Sequence, residues 1–99
     1  MISIEKVLEI SFEDCLEDIL HLNIRDNFSN VIGINKNCSL ALCNLESISL
    51  SHQNIYNLKL FHFNNFVNLL EINLNFNNLE SSELEYLSNC INLEKLYYL

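Results

Sequence analysis

LESISLSHQNI (residues 45–55) and LLEINLNFNNL (residues 69–79) are two copies of one pattern. Each carries Leu or Ile at its first, fourth, sixth and last positions: Leu45, Ile48, Leu50 and Ile55, then Leu69, Ile72, Leu74 and Leu79. A third copy, LEKLYYL, begins at Leu93 and places Leu96 and then Tyr98 in the same slots. The starts are 24 residues apart each time, and an asparagine precedes each of them, at Asn44, Asn68 and Asn92. Asn65 and Asn89 also recur at that interval, as do Asn54 and Asn78.

The spacing has a direct physical meaning. Side chains of an extended chain alternate between two faces. Ile48 and Leu50, like Ile72 and Leu74, therefore point to one side. Ser47, Ser49 and Ser51 point to the other, as do Glu71, Asn73 and Asn75, and then Lys95 and Tyr97. Repetition at a fixed interval predicts short strands stacked in parallel, each coil burying its apolar face against the next. Asn77 follows the second strand where the chain must turn, and its amide both donates and accepts. In the copy before it the slot holds Gln53, one methylene longer, which predicts a looser turn there.

The return paths differ. After Leu79, ESSELEYLSNC has Ser82 and Glu85 at capping-box spacing, which predicts a short helix near residues 82–88 with Leu84, Leu87 and Ile91 toward the core. After Ile55, NLKLFHFNNFVN is crowded with Phe61, Phe63 and Phe66 and predicts irregular structure or one helical turn. A weaker copy precedes these at Ile19, Leu22, Ile24 and Asn27, 26 residues ahead of Leu45 rather than 24. The intervening stretch, residues 29–44, holds the chain's one glycine, Gly33, and is the expected place for an insertion. Ile4, Val7 and Leu8, then Cys15, Leu16 and Ile19 after Ser11, have helical spacing. Residues 1–18 are therefore expected to form a helical cap over the end of the stack. The acidic cluster Glu13, Asp14, Glu17 and Asp18 is then its solvated face.

The pattern L-x-x-L-x-L-x-x-N-x-L resembles that of leucine-rich-repeat proteins. The intracellular class with phosphatase-regulatory, centrosomal and ciliary members is similar. The resemblance implies an α/β solenoid with a short parallel sheet on its concave face. Its coils are expected at about 19–44, 45–68, 69–92 and, in part, 93–99. It also implies a cytoplasmic binding scaffold, with the cytoskeleton, centrosome or cilium as its surroundings, that engages another protein through the concave strand face. The candidate contact residues are Ser47, Ser49, Ser51, Glu71, Asn73, Asn75, Phe76, Lys95 and Tyr97, with His21, Asn23 and Arg25 as a first row. Phe76 stands out, as an aromatic in a solvent-facing slot beside polar neighbours is a common binding anchor. The alternative for Phe76 is that it lies flat over the next coil and only packs, and for the three serines that they are small solvated strand residues. Because the chain stops within a strand at Leu99, a second expectation is a truncated piece of a longer repeat protein, or a module that self-associates through its open end.

Composition narrows the partners. Thirteen acidic residues against five basic ones give a net charge of −8. Phosphate contacts need clustered Lys and Arg, and Lys6, Arg25, Lys36, Lys59 and Lys95 are scattered, so neither nucleic acid nor an anionic membrane is the expected partner. No signal peptide or membrane span is legible at the start, which makes the four cysteines free thiols by expectation. No nucleophile–base constellation, phosphate loop or metal-ligand spacing is visible. An enzyme is not expected, and no cofactor or metal is called for.

Overall fold

The computed structural model of the chain describes residues 2–7, 16–24 and 31–99. Its elements in chain order begin with β1 (Ile2–Ser3), α1 (Ile4–Val7) and β2 (His21–Asn23). β3 (Val31–Gly33), α2 (Lys36–Ala41) and β4 (Ser47–Ser49) follow, then β5 (Glu71–Asn73) and β6 (Lys95–Tyr97). Four stretches of 3-10 helix lie between them, at Leu16–Asp18, Lys59–Phe61, Phe63–Asn65 and Ser81–Leu87.

β2, β4, β5 and β6 form one parallel sheet in that order. Ile48 pairs with Ile72 and Ile72 with Leu96, an offset of 24 residues, while Leu22 pairs with Ile48 at an offset of 26. The apolar periodicity sets this register, because a slip by one residue would turn every Ile and Leu outward. The ladder continues past the strand ends. The carbonyls of Leu20, Glu46 and Leu70 each accept from two successive N–H groups of the next coil, at 2.7–3.1 Å. The N–H groups of Ile24, Leu50 and Leu74 donate to the carbonyls of Ser49, Asn73 and Tyr97.

Asparagine side chains fasten the same coils outside the sheet. Asn44, Asn68 and Asn92 each donate an amide N–H to a carbonyl one coil back, those of Glu17, Cys43 and Val67, at 3.0, 2.9 and 3.0 Å. Asn77 closes the turn of the preceding coil. Its Oδ1 accepts from the N–H groups of Gln53 (2.9 Å) and Ile55 (3.0 Å). Its Nδ2 donates to Leu50 O (2.8 Å) and Leu74 O (3.1 Å). Gln53 does not loosen its turn: the side chain is fully buried, with Nε2 3.4 Å from Ser51 O. The extra methylene lets it reach inward, and Asn77 holds its backbone from the next coil.

The core is continuous from Ile4 to Cys90. Phe61, Phe63 and Phe66 are its largest buried side chains, Phe61 and Phe63 stacked at 5.8 Å and Phe63 edge-on to Phe66 at 6.0 Å. Cys90 takes the slot of Phe66 one coil later and donates its thiol to Phe63 O. Burial pushes the Cys90 thiol above its ordinary pKa, so it stays a protonated donor at neutral pH.

Three expectations change on contact with this architecture. The segment around residues 81–87 is a 3-10 helix, and no side chain caps it. A 3-10 helix climbs about 2.0 Å per residue against about 1.5 Å for an α-helix, so it covers a short return path with few residues. The Ser82–Glu85 capping box does not form; Glu83 Oε1 instead accepts from the N–H of Leu58 at 2.9 Å. Ile91 does not reach the core but is 81% exposed, sharing an outward slot with Val67 one repeat earlier. Nor are the described residues of the expected cap all helical. Ile2–Ser3 is extended and pairs in parallel with β3, followed by one helical turn with Ile4 buried. The helix expected after Ser11 falls largely on residues outside those described, as do Glu13, Asp14 and Asn27. Glu17 and Asp18 are exposed.

Gly33 is not a point of slack. It sits in β3, and a Cβ built there would lie 2.5 Å from Leu60 O, a backbone atom that also accepts from the N–H of Ile34 at 2.9 Å. Gly33→Ala must push two bonded backbones apart. The expected cost is about 2 kcal/mol, as for other overpacked sites, measured as a lower urea midpoint with an unchanged slope.

Candidate functional site

The outward face of the four-stranded sheet carries the candidate residues in aligned rows. His21, Ser47, Glu71 and Lys95 are neighbours across the strands, and so are Asn23, Ser49, Asn73 and Tyr97. A shallow depression is lined by members of both rows together with Leu22 and Ile48. His21 Nδ1 and Ser47 Oγ share a 2.6 Å hydrogen bond. Lys95 Nζ lies 4.0 Å from Glu71 Oε1 with both side chains well exposed. Solvent screens such a pair, so it adds little stability and its two charges remain available at the surface. Arg25, expected to extend the first row, lies outside the described residues.

Past the strand ends the roles divide. Asn73 Oδ1 accepts from the N–H of Asn75, and Asn75 Oδ1 from the N–H of Leu99. Both asparagines thus hold backbone as well as facing outward. Ser51 is half-buried on the same side. His52 and Phe76, one repeat apart, stack face to face with ring centres 4.5 Å apart and planes 17° from parallel. Phe76 is nevertheless 58% exposed, so it both packs on the adjacent coil and presents a free ring face.

The backbone at this stack is unusual. His52 has φ 59° and Phe76 has φ 61°, in the left-handed region. A side chain with Cβ costs roughly 1–2 kcal/mol there. Asn54 (φ 57°) and His62 (φ 52°) adopt it too. The conformation turns the N–H of His52 onto Asn75 O (3.1 Å) and that of Phe76 onto Leu99 O (2.8 Å), which continues the inter-coil ladder. The sequence held a partial signal for this in the 24-residue recurrence of the slot, but bulky His and Phe are not residues from which positive φ is ordinarily read.

Among the described residues no group of three or more His, Cys, Asp or Glu could hold a metal ion, and no helix is long and apolar enough to cross a membrane. No protein-family model, curated protein or solved structure matches this chain.

Proposed function

We propose that the chain is part of a leucine-rich-repeat solenoid and binds another protein through the outward face of its parallel sheet. The observation that carries this reading is the exposed His52–Phe76 stack beside aligned polar rows. Two aromatic rings are held rigidly on a backbone conformation that is costly for them. An arrangement that opposes local preference is expected where function, rather than stability, selects the residues. Phe76 and Tyr97 supply the aromatic anchors. Glu71 and Lys95 supply charges that fix orientation, and Ser47, Ser49, Ser51, Asn73 and Asn75 supply small polar contacts around them. Interfaces draw most of their affinity from a few such aromatic anchors ringed by near-neutral contacts.

The test is a double variant, Glu71→Ala with Phe76→Ala, in the full chain. Neither side chain is buried, and neither supplies a backbone-holding hydrogen bond, so melting should shift by only a few degrees. Capture of the partner, identified by crosslinking to the unaltered protein, should fall by at least about 30-fold, as for loss of an anchor worth 2 kcal/mol or more. Equal capture by the folded double variant sinks the reading. Asn73 is left in place because its Oδ1 holds the N–H of Asn75.

A further inference from the structure

The outward face of the sheet dips over β4. Ser47 and Ser49 are short side chains in rows whose members on the flanking strands are longer, His21 and Asn23 on β2, Glu71 and Asn73 on β5. The dip measures about 300 Å³, at the small end of the range for ligand pockets and so on the scale of one long side chain. Tyr97 reaches it from β6 with an exposed ring. Of the residues that line it, Glu71 alone carries a formal charge. Two of the neighbouring polar atoms are already engaged: His21 Nδ1 with Ser47 Oγ, and Asn73 Oδ1 with the N–H of Asn75. The Glu71 carboxylate only accepts hydrogen bonds, so what sits here must donate. A cation is favoured by that carboxylate and by the net charge of −8 around it. The ring of Tyr97 narrows the choice further. A guanidinium is flat, stacks on an aromatic face and meets a carboxylate with two parallel N–H groups, whereas an ammonium is a compact point charge.

We infer that the dip over β4 receives an arginine side chain of the bound protein, with Glu71 as its carboxylate partner, Tyr97 as its stacking surface and the hydroxyls of Ser47 and Ser49 beneath it. The inference rests on the reading that this face binds a protein and states what that protein brings. It gives Lys95 a particular part. Lys95 Nζ stands 4.0 Å from Glu71 Oε1 with both side chains exposed, well beyond the 2.7–2.9 Å of a charge-assisted hydrogen bond. Such a pair is worth little in water, so a guanidinium that meets Glu71 at close range displaces the ammonium readily. Lys95 thus holds the place of the arginine until it arrives and competes with it for Glu71. Removing Lys95 should therefore strengthen binding, the opposite of what an anchoring residue would do.

The probe is a capped tripeptide, acetyl-Ala-Arg-Ala-amide, titrated into the full chain labelled with nitrogen-15 and followed by amide chemical shifts. Saturable shifts centred on Ser47, Ser49 and Glu71 are expected, with a Kd on the order of millimolar, as for a single exposed contact of a small ligand. The same peptide with lysine should bind at least about threefold more weakly, since it lacks the planar fork. With citrulline, which keeps the shape and loses the charge, no saturable shift is expected. Glu71→Gln in the protein should weaken the arginine peptide at least about tenfold. Lys95→Met should tighten it at least about twofold by removing the competitor. Lys59→Met makes the same charge change on the return path and should leave it unaltered. No saturable shift, shifts centred elsewhere, equal binding of the lysine or citrulline peptide, undiminished binding to Glu71→Gln, or equal effects of Lys95→Met and Lys59→Met each overturn the inference. Failure of the arginine peptide while the Glu71→Ala, Phe76→Ala chain still loses its partner removes this inference and leaves the binding face standing. Unchanged capture by that double variant removes both.

Discussion

Phe63→Ala should lower the unfolding free energy by about 4 kcal/mol, within the range found for buried Phe-to-Ala changes. Phe63 is 2% exposed and lies between Phe61 and Phe66, stacked on one and edge-on to the other. Its carbonyl also receives the Cys90 thiol. Removing the ring leaves a cavity that the return path cannot easily collapse. Short 3-10 turns on either side hold its backbone, with Asn65 donating to Ser39 Oγ at 2.8 Å. Domains of this size have total stabilities of roughly 5–15 kcal/mol. A loss of 4 kcal/mol therefore removes much of the total and shifts the melting midpoint by roughly 15–30 °C. Phe63→Leu keeps most of the volume and should cost about 1–1.5 kcal/mol. Thermal melts of the two variants measure both effects. A Phe63→Ala midpoint within a few degrees of the unaltered chain means that the three rings do not form the centre of the core.

Asn77→Ala is expected to have the next largest effect, about 3 kcal/mol, although it removes no apolar contact. The Asn77 side chain joins two coils through four backbone groups: the N–H groups of Gln53 and Ile55, and the carbonyls of Leu50 and Leu74. Three of the four belong to the preceding coil, so the substitution strips hydrogen bonds from a turn 22–27 residues away in sequence. A backbone group left without a partner in a buried setting costs about 1–3 kcal/mol. Here the groups are partly buried and water can reach some of them, which keeps the sum over the four groups to about 3 kcal/mol rather than several times the single-group cost. The distinguishing measurement is amide exchange in native conditions. The N–H groups of Gln53 and Ile55 should exchange faster in Asn77→Ala by more than the global loss of stability accounts for. Exchange that changes uniformly along the chain would show that Asn77 contributes to the core rather than to this turn.

These two substitutions separate what can be seen in a sequence from what cannot. The importance of Asn77 is legible without coordinates, because the residue sits where a strand ends and the same slot recurs. Its partners are not legible: nothing local tells that one amide reads three groups of the coil before it. For Asn44, Asn68 and Asn92 the recurrence was visible and the purpose was not, since a side-chain hydrogen bond to a carbonyl 25–27 residues back exists only once the coils are stacked. The candidate face follows the same division. Which residues point outward comes from strand alternation alone. That His52 and Phe76 stack, that Asn73 and Asn75 hold backbone, and that Lys95 meets Glu71 depend on the register between strands.

By itself, then, the sequence determined the strands of the four-stranded sheet, the 24-residue offset between its later three and their apolar faces, because alternation and repetition are local properties of the chain. It also marked the aromatic return path and the acidic balance of the chain. The tertiary structure decided the rest. It drew Ile2–Ser3 beside Val31–Gly33 and set Gly33 against the backbone of Leu60, since close approach of two segments has no signature in either one. It made the second return path a 3-10 helix without its capping box, because the space between successive coils sets the rise each residue must cover.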